Sequence, residues 1–253
     1  MRFITLPSVN LVLINKEEST HGIPLEDPRT IHLTQTVGLQ PGKTFYVGIK
    51  NEFRGLATIQ KISPRLIFAV QWEKEKQARL PLELLVGLPR PQTAKKILYD
   101  AASLGLSKII FFVSEKGDPG YLSSSLWKNN EWEDFLLRGT EQACSCLVPE
   151  VIHVSSIEEG IKLLHPQAWR VSLDPYTAKE SLKTKMGSFS FGTLAIGPER
   201  GWSDDERSVL KTNGFSFYHL GARILRVETA CIAGSVLMLS ELNAWQPHRG
   251  LIE

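Results

Sequence analysis

The sequence predicts an α/β protein with a small strand-rich N-terminal part and a larger part in which strands and helices alternate. Two observations predict this class. Within the first 70 residues, short runs with strand character are separated by turn sequences. After Leu82, near-continuous apolar runs alternate with helical patterns, as in a buried, mostly parallel sheet. At 253 residues, the chain is long enough for one large domain or two modest ones.

The N-terminal strands are separated by turn chemistry such as Pro41-Gly42 and the loop from Asn51 to Gly55. Four or five short strands in such a stretch indicate a small barrel. The polar run from Glu73 to Gln77 is interpreted as a linker, and a solvated loop inside one domain is the alternative. We therefore expect one domain at residues 1–72 and a second at residues 80–253. The predicted strands are Val9–Ile14, Thr44–Ile49, Leu56–Lys61 and Arg65–Val70.

The second domain is predicted to contain a mostly parallel sheet covered by helices. In Thr93–Leu104, apolar residues recur on one face at helical spacing. A helix rich in small residues is predicted over Val227–Ala244, where close packing against the domain or a second subunit would suit it. Ligands of open α/β domains bind beyond the carboxyl ends of the strands, so the loops there are candidate sites. The predicted strands are Leu82–Leu88, Lys108–Val113, Trp169–Leu173, Thr193–Ile196 and Phe215–Leu220.

Composition excludes several classes of protein. The chain has 42% hydrophobic residues and a net charge of +2 from 29 basic and 27 acidic residues, so an RNA partner would need a local basic patch. The pair Cys144-x-Cys146 has no matching second pair, so no metal site is predicted, and three cysteines favour a reducing compartment. Met1 to Asn10 lacks signal-peptide features, and no run approaches a membrane span. We expect a cytoplasmic protein without a membrane partner.

The loop after the predicted strand Thr193–Ile196 reads GPERGW. Gly197 and Gly201 permit backbone conformations closed to other residues and allow a ligand to approach the main chain. Ser203 and Glu206 match a capping box that begins the next helix. The loop has no lysine of the kind that a phosphate-binding P-loop carries. Both a ligand site and an ordinary strand-to-helix turn fit these features.

The loop after Phe215–Leu220 reads GARILRVETA and carries two arginines beside a glutamate. Arg223, Arg226 and Glu228 could form a site for an anion or an RNA phosphate. A structural ion pair fits the same residues equally well.

Together, the segments IGPERGWSDDE and HLGARILRVETA resemble the RsmE family of 16S ribosomal RNA uridine N3-methyltransferases, within the SPOUT superfamily. The family's form is close to GPEGG-F-S-x-x-E, followed by LG-x-RILR-x-ETA. Weaker likeness extends to Met1-Arg2-Phe3, Pro41-Gly42 and Leu104-Gly105. The resemblance implies a PUA-like N-terminal β-barrel, a SPOUT α/β domain with a deep trefoil knot, and a homodimer formed through the knotted domain.

The resemblance also implies S-adenosylmethionine as cofactor and 16S ribosomal RNA or the small ribosomal subunit as substrate. Arg226, with Arg223 behind it, is the candidate for stabilising the uracil anion, because a guanidinium stays protonated. Glu199 is a candidate for orienting the cofactor or for acting as base, and an acid at a helix N-terminus is its alternative. The implied cofactor-binding residues are Leu173, Ile196, Gly197, Pro198, Glu199, Gly201, Trp202, Leu220, Gly221, Ile224, Leu225 and Arg226.

The N-terminal domain is expected to bind RNA through basic side chains if these share one face. The expected RNA contacts are Arg2, Arg29, His32 and Arg54.

The chain departs from the family pattern at several positions. Arg200 stands where the family has a second glycine, and Asp100 and Ser103 stand where it has a lysine and a glutamate. Family arginines are missing near Cys146 and Gly38. Two alternatives therefore remain open. One is a SPOUT methyltransferase acting on tRNA or a ribose 2'-hydroxyl, which the RILR-x-ETA motif disfavours, and the other is a non-catalytic RNA-binding relative.

Overall fold

The structure is a computed structural model, and it describes residues 11–75, 77–182 and 189–245. The predicted RNA contact Arg2 and the first two residues of the predicted strand Val9–Ile14 lie outside these ranges. Within them, no helix combines the length and the apolar character needed to cross a membrane.

The chain divides into two compact units, and a segment between residues 140 and 148 returns to the first of them. Leu11 N–H donates to Glu141 O at 3.1 Å, and Val148 N–H donates to Asn51 Oδ1 at 2.9 Å. The predicted boundaries, 1–72 and 80–253, do not include this return. Described residues of the first unit fall within Met1–Ala78 and Thr140–Val148, and those of the second within Arg79–Gly139 and Pro149–Pro247.

The first unit contains a five-stranded sheet with the order β1-β3-β4-β5-β2. β1 runs parallel to β3, and the other neighbours are antiparallel. Its core includes the rings of Phe45 and Phe68, which meet edge to face at 5.4 Å. The short strand β2 was not predicted. The strands are β1 (Val12–Ile14), β2 (Ile23–Pro24), β3 (Thr44–Ile49), β4 (Arg54–Lys61) and β5 (Arg65–Trp72). The helices are α1 (Glu18–His21) and α2 (Pro28–Ile31), with a π-helical turn at His32–Thr36.

The second unit contains seven strands in the order β10-β12-β9-β11-β6-β7-β8, and every pair of neighbours is parallel. The prediction of an α/β protein with a parallel sheet is confirmed. β8 and β10 were not predicted. The strands are β6 (Leu80–Gly87), β7 (Leu106–Phe112), β8 (Glu150–Val154), β9 (Trp169–Leu173), β10 (Glu180–Ser181), β11 (Gly192–Ile196) and β12 (Ser216–His219).

Helices accompany these strands. Pro91 occupies the first turn of α3, and Gly105, in the left-handed region at φ 81°, ends that helix; both are favoured at these positions. The predicted helices at Thr93–Leu104 and from Val227 are confirmed as α3 and α8. The helices are α3 (Pro91–Leu104), α4 (Ser125–Lys128), α5 (Trp132–Gln142), α6 (Ile157–Lys162), α7 (Asp204–Thr212) and α8 (Val227–Glu241), with a 3-10 helix at Pro119–Ser123.

The strand order decides where a ligand site can form. β11 pairs with β6 on one side and β9 on the other, and β12 pairs with β9. Because all four are parallel, the loops that follow them emerge at the same edge of the sheet. The helix α8 packs closely on β11, since a Cβ at Gly234 would lie only 2.8 Å from Leu194 Cδ2.

Candidate functional site

A cavity of about 530 Å³ lies beyond the carboxyl ends of β9, β11 and β12. This volume is within the range of small-molecule sites. Eleven of the twelve predicted cofactor-binding residues line the cavity, as does Arg223, whereas Gly221 does not. Glu228, which the sequence offered as part of an anion site, also lines it. Sequence reasoning did not find the remaining lining residues, which are Arg90, Thr93, Asp174, Pro175, Tyr176, His219, Val227 and Ala230.

The loop after β11 makes a tight turn at the wall of the cavity. Gly201 N–H donates to Pro198 O at 2.8 Å, and Gly201 has a φ of 69°, in the left-handed region that favours glycine. Gly197 is not among the residues with positive φ, so its role differs from the predicted one. A Cβ at Gly197 would lie 3.2 Å from the Trp202 ring, so glycine here permits close packing.

Trp202 anchors this loop to the end of β9. Its side chain is 1% exposed, and its indole Nε1–H donates to Leu173 O at 3.0 Å. The indole stacks on the Phe112 ring with 6.0 Å between centroids and 2° between planes. The residue therefore holds two strand ends together and also lines the cavity.

The predicted capping box is present where the loop becomes α7. Ser203 Oγ accepts a hydrogen bond from Glu206 N–H at 3.0 Å, and Glu206 Oε2 accepts one from Ser203 N–H at 2.9 Å. Both residues are buried. The reciprocal bonds fix the direction in which the chain leaves the cavity wall.

Glu199 joins the loop after β11 to the entrance of α3. Its Oε1 accepts a hydrogen bond from Arg90 N–H at 3.0 Å. Because α7 begins at Asp204 with Ser203 as its N-cap, Glu199 is not in the first turn of that helix. The contact places the Glu199 carboxylate at the N-terminus of α3, whose N-cap is Arg90, so the alternative of an acid at a helix N-terminus holds for α3 rather than for α7.

Arg223 and Arg226 are exposed in the loop after β12. Glu228 does not form the ion pair with them that the sequence left open, because it pairs with Lys96 Nζ at 3.0 Å. Burial opposes ionisation of Glu228, but the hydrogen bond from its own backbone N–H and the ion pair with Lys96 hold its pKa below the usual value. The charge of Arg226 also helps to lower the pKa of Glu228, but neither Arg223 nor Arg226 forms an ion pair with that carboxylate.

Asp174 is a buried carboxylate at the end of β9, and its side chain is 1% exposed. It accepts hydrogen bonds from Arg207 Nε at 2.7 Å, Thr177 Oγ1 at 2.7 Å and Tyr176 N–H at 2.9 Å. Burial opposes its ionisation, yet the hydrogen bonds from Arg207 and Thr177 lower its pKa. Its place directly after the predicted strand Trp169–Leu173 is the sequence signal that could have found it.

The charges on the cavity wall are unevenly paired. Each of the three carboxylates that line it has a partner, as described above. In contrast, the guanidinium groups of Arg90, Arg223 and Arg226 form no ion pair with any residue that the structure describes. The wall therefore offers unpaired positive charge to a ligand with anionic groups.

In the first unit, Arg29 has intramolecular partners. Its Nη2 lies 2.7 Å from Asp27 Oδ2 and also pairs with Glu18 Oε1, and the hydrogen bond from Arg29 helps to lower the pKa of Asp27. His32 is exposed at the start of the π-helical turn. Of these two predicted RNA contacts, His32 is the one whose side chain remains accessible.

Arg54 is also engaged within the first unit. Its Nη2 lies 2.7 Å from Glu73 Oε1, and its Nη1 donates to Cys144 O. Gln77 Oε1 accepts hydrogen bonds from Ser145 Oγ and Cys146 N–H, each at 3.2 Å. Both ends of the run interpreted as a linker, Glu73 and Gln77, are thus bonded into the first unit, which gives way to the second after Ala78.

The four positions that depart from the family pattern outside the loops do not line the cavity in the described part of the chain. Ser103 Oγ donates to Tyr99 O at 3.0 Å, and Cys146 is fully buried. Gly38 has a φ of 75° and no neighbouring atom within reach of a Cβ. Burial raises the pKa of Asp100.

Comparison with known proteins assigns the chain to a family. The model of the RNA methyltransferase domain family matches residues 76–238. A ribosomal RNA small subunit methyltransferase E from Treponema pallidum (strain Nichols) is 32% identical over 252 residues, covering 94% of this chain and 93% of the relative. A ribosomal RNA small subunit methyltransferase E 1 from Borreliella burgdorferi is 31% identical over 235 residues, covering 92% and 99%.

The fold likeness extends over the same length. The crystal structure of a ribosomal RNA small subunit methyltransferase E from Neisseria gonorrhoeae bound to S-adenosyl methionine superimposes with a TM-score of 0.73 at 16% identity, covering 92% of this chain and 97% of the other. At 16% identity this likeness shows the fold alone. The family is shown by the two sequence relatives. On their identity and coverage, the chain belongs to the ribosomal RNA small subunit methyltransferase E family.

Proposed function

We propose that this protein transfers a methyl group from S-adenosylmethionine to N3 of a uridine in 16S ribosomal RNA. Membership of the family supports methylation of small-subunit ribosomal RNA. One structural observation carries the proposal for this chain: residues from both family motifs and from the end of β9 line a single cavity. An RNA substrate and a cytoplasmic site of action belong to the same proposal.

The cavity fits the chemistry of S-adenosylmethionine, which joins a flat base to a charged amino-acid tail. Leu173, Ile196 and Trp202 supply buried apolar walls for the base. The turns after β11 and β12 bring backbone N–H and C=O groups to the same place. The unpaired guanidinium group of Arg90 suits the carboxylate of the tail. The ligand would bind in a bent form within these loops.

In this proposal the N3 proton would first pass to solvent, which leaves negative charge on the uracil ring. Attack of N3 on the methyl carbon would then form the N–C bond as the S–C bond breaks, and it would give a neutral methylated base and S-adenosylhomocysteine. S-adenosylmethionine supplies a methyl group that its positive sulfur has already activated. In our proposal, Arg226 stabilises the uracil anion and Arg223 is the second donor, because a guanidinium stays protonated and donates in a plane. Glu199 positions the loop through Arg90. Since N3 lies on the pairing edge, the uridine must be unpaired or flipped out of its helix.

The finer features of the fold also belong to the proposal. The loops after β11 and β12 would form part of a deep trefoil knot in a SPOUT domain, and the first unit would be a PUA-like barrel. Support for the knot comes from family membership and from the convergence of both loops on one cavity. Knots are rare exceptions among protein folds, so the family relation is the main support.

The first unit is proposed to contribute to RNA binding through accessible basic side chains such as His32. Arg29 and Arg54 are not carried into this proposal, because intramolecular carboxylates already pair with them. A variant of this protein in which Arg29 and Arg54 are both replaced by alanine should therefore lose folding stability, whereas its affinity for RNA should stay near that of wild type.

The protein is further proposed to be a homodimer that forms through α8. Gly234 and Met238 are buried against the second unit, but Val236 on the opposite face is 40% exposed. A helix that is apolar on both faces is expected to pack on both sides. Sedimentation at micromolar concentration should give about twice the chain mass of 28.4 kDa, and a clean monomer would refute this contact.

Two assays on the purified protein test the proposed function. Calorimetry should detect binding of S-adenosylmethionine, and labelled methyl groups should pass to 16S ribosomal RNA or small subunits from cells that lack the modification. Cofactor binding without transfer to RNA would identify a non-catalytic relative. Transfer to tRNA or to a ribose hydroxyl would contradict the proposed substrate.

A further inference from the structure

We propose that Tyr176 is a stacking platform for an unpaired base of the RNA substrate at the opening of the cavity, an inference that rests on the proposed function. Tyr176 lies in the loop after β9 and lines the cavity, yet its side chain is 65% exposed. A wall residue with that exposure stands where the cavity opens to solvent. The family motifs contain no residue of this loop.

A second large apolar side chain is exposed at the same cavity. Ile224, from the loop after β12, is 68% exposed and also lines the wall. Single exposed apolar side chains are normal, but two at one cavity form a local apolar surface. The Tyr176 ring lies beside the turn after β11, since a Cβ at Gly201 would be 3.5 Å from Tyr176 Cε2. An aromatic ring held there offers a flat surface to a flat ligand.

The backbone beneath the ring is held by a buried carboxylate. Asp174 accepts the hydrogen bond of Tyr176 N–H, and Arg207, which lies on α7, holds that carboxylate at 2.7 Å. Burying a carboxylate is costly unless it is paired and hydrogen-bonded, and each of the partners of Asp174 serves to fix this turn. The backbone position of Tyr176 is therefore fixed before a ligand arrives, which lowers the backbone entropy lost on binding.

The ligand that fits this arrangement is an RNA base. The buried walls formed by Leu173, Ile196 and Trp202 suit the cofactor base, whereas the exposed ring lies outside them. Unpaired guanidinium groups line the same cavity, and an aromatic platform beside positive charge is the usual arrangement for single-stranded nucleic acid. A base that leaves its helix also loses stacking, which a tyrosine ring can replace.

The experiment compares the wild-type protein with Tyr176→Ala and Tyr176→Phe, and Tyr121→Ala is the control because Tyr121 lies outside the cavity lining. Filter binding gives the Kd for 16S ribosomal RNA, and calorimetry gives the Kd for S-adenosylmethionine. Loss of one base–aromatic stack predicts an RNA Kd on the order of tenfold weaker for Tyr176→Ala. Tyr176→Phe, the control and the cofactor Kd should stay near wild type.

An unchanged RNA Kd for Tyr176→Ala would overturn the proposal, as would an equal weakening of the cofactor Kd. Methyl transfer is measured for the same proteins, so that failure of the proposed function can be distinguished from failure of the stacking proposal. A wild-type protein that transfers no methyl group refutes the proposed function. An active wild type with an unaffected Tyr176→Ala variant refutes only the stacking platform.

Arg207 tests whether the turn positions the ring. Arg207→Gln removes the guanidinium that holds Asp174, although Arg207 itself does not line the cavity. The Tm and the cofactor Kd of the variant, both near wild type if only the turn changes, show whether the cavity stays folded. If Arg207 acts through Tyr176, this change weakens RNA binding in the wild-type background and adds no further loss to Tyr176→Ala. Additive losses in the double variant would contradict the positioning role.

Discussion

At the scale of single residues, the site separates groups that hold loops from groups that remain available to ligands. Trp202 and Asp174 are buried and bonded to neighbouring loops, so their loss should disturb the shape of the cavity. Arg223 and Arg226 are exposed and have no ion-pair partner among the described residues. On this division we propose binding and catalysis for the arginines and a structural role for the buried anchors.

Arg226→Ala should reduce kcat for methyl transfer by about 100-fold or more, the usual effect of removing a donor that stabilises a developing anion. Binding of S-adenosylhomocysteine, measured by calorimetry, should change little, because the side chain is proposed to act on uracil. Arg138→Ala is a matched control, since Arg138 is an exposed arginine of α5 that pairs only weakly with Asp134. A comparable loss of S-adenosylhomocysteine affinity would show that Arg226 belongs to the cofactor loop instead.

His153 on β8 should make stability depend on pH. Its ring lies 4.3 Å from that of Trp127 and 5.8 Å from that of Phe111, and its Nε2 is buried without a hydrogen-bond partner among the described residues. Burial lowers the pKa of His153 below 6.5, so the unfolded chain binds the proton more readily than the folded one. Stability is then lost as the pH falls through 6.5 toward the lowered value.

Thermal unfolding of wild type and His153→Phe at several pH values checks this dependence. The variant lacks the titrating group but keeps an aromatic ring, so its Tm should fall less than that of wild type between about pH 7.5 and pH 5.5. Equal falls in the two proteins would contradict a role for His153.

At the scale of elements, the sequence predicts strands well where both faces are buried. β9 and β3 have the predicted bounds, and every residue of β11 is buried. β8 was missed because it is an edge strand in which no residue is fully buried, so its apolar signal is weak. β10 has only two residues, too few to give a pattern. Periodicity thus reports burial, and it fails where an element is short or half exposed.

At the start of α7, the structure contains the capping box that the sequence predicts. Ser203→Ala removes one half of the capping box and should lower the free energy of unfolding by about 1 kcal/mol. In a chain of this size that corresponds to a Tm lower by roughly 2–4 °C. Differential scanning calorimetry measures it, with the exposed Ser190 changed to alanine as control. A loss no larger than that of the control would mean that the cap contributes nothing to stability.

At the scale of the whole molecule, the order of segments along the chain does not show which unit each segment belongs to. The segment Thr140–Val148 belongs to the first unit although some 60 residues of the second unit precede it. The segment begins in the last turn of α5 and continues without a helix or strand. Hydrogen bonds such as Val148 N–H to Asn51 Oδ1 and the buried Cys146 hold it in the first unit. A chain that begins at Leu80 would keep this segment but lose its partners. Deleting the N-terminal residues alone therefore does not isolate the second unit.

Most of the candidate site was within reach of the sequence, because two loops of the chain carry family motifs. Of the lining residues outside those motifs, Leu173 was predicted and the others were missed. Arg90 and Tyr176 give no local signal, since their presence at the cavity depends on how β6 and β9 lie beside β11. Strand order in a parallel sheet is a property of the whole fold, and neither composition nor periodicity reports it.

The most direct test of the central claim is nucleoside mass spectrometry of 16S ribosomal RNA from a strain that lacks this gene. The account predicts that N3-methyluridine is absent from the 16S RNA of the deletion strain. A plasmid copy of the wild-type gene should restore it, and a copy carrying Arg226→Ala should not. If the deletion strain retains N3-methyluridine at the wild-type level, the proposed function is contradicted.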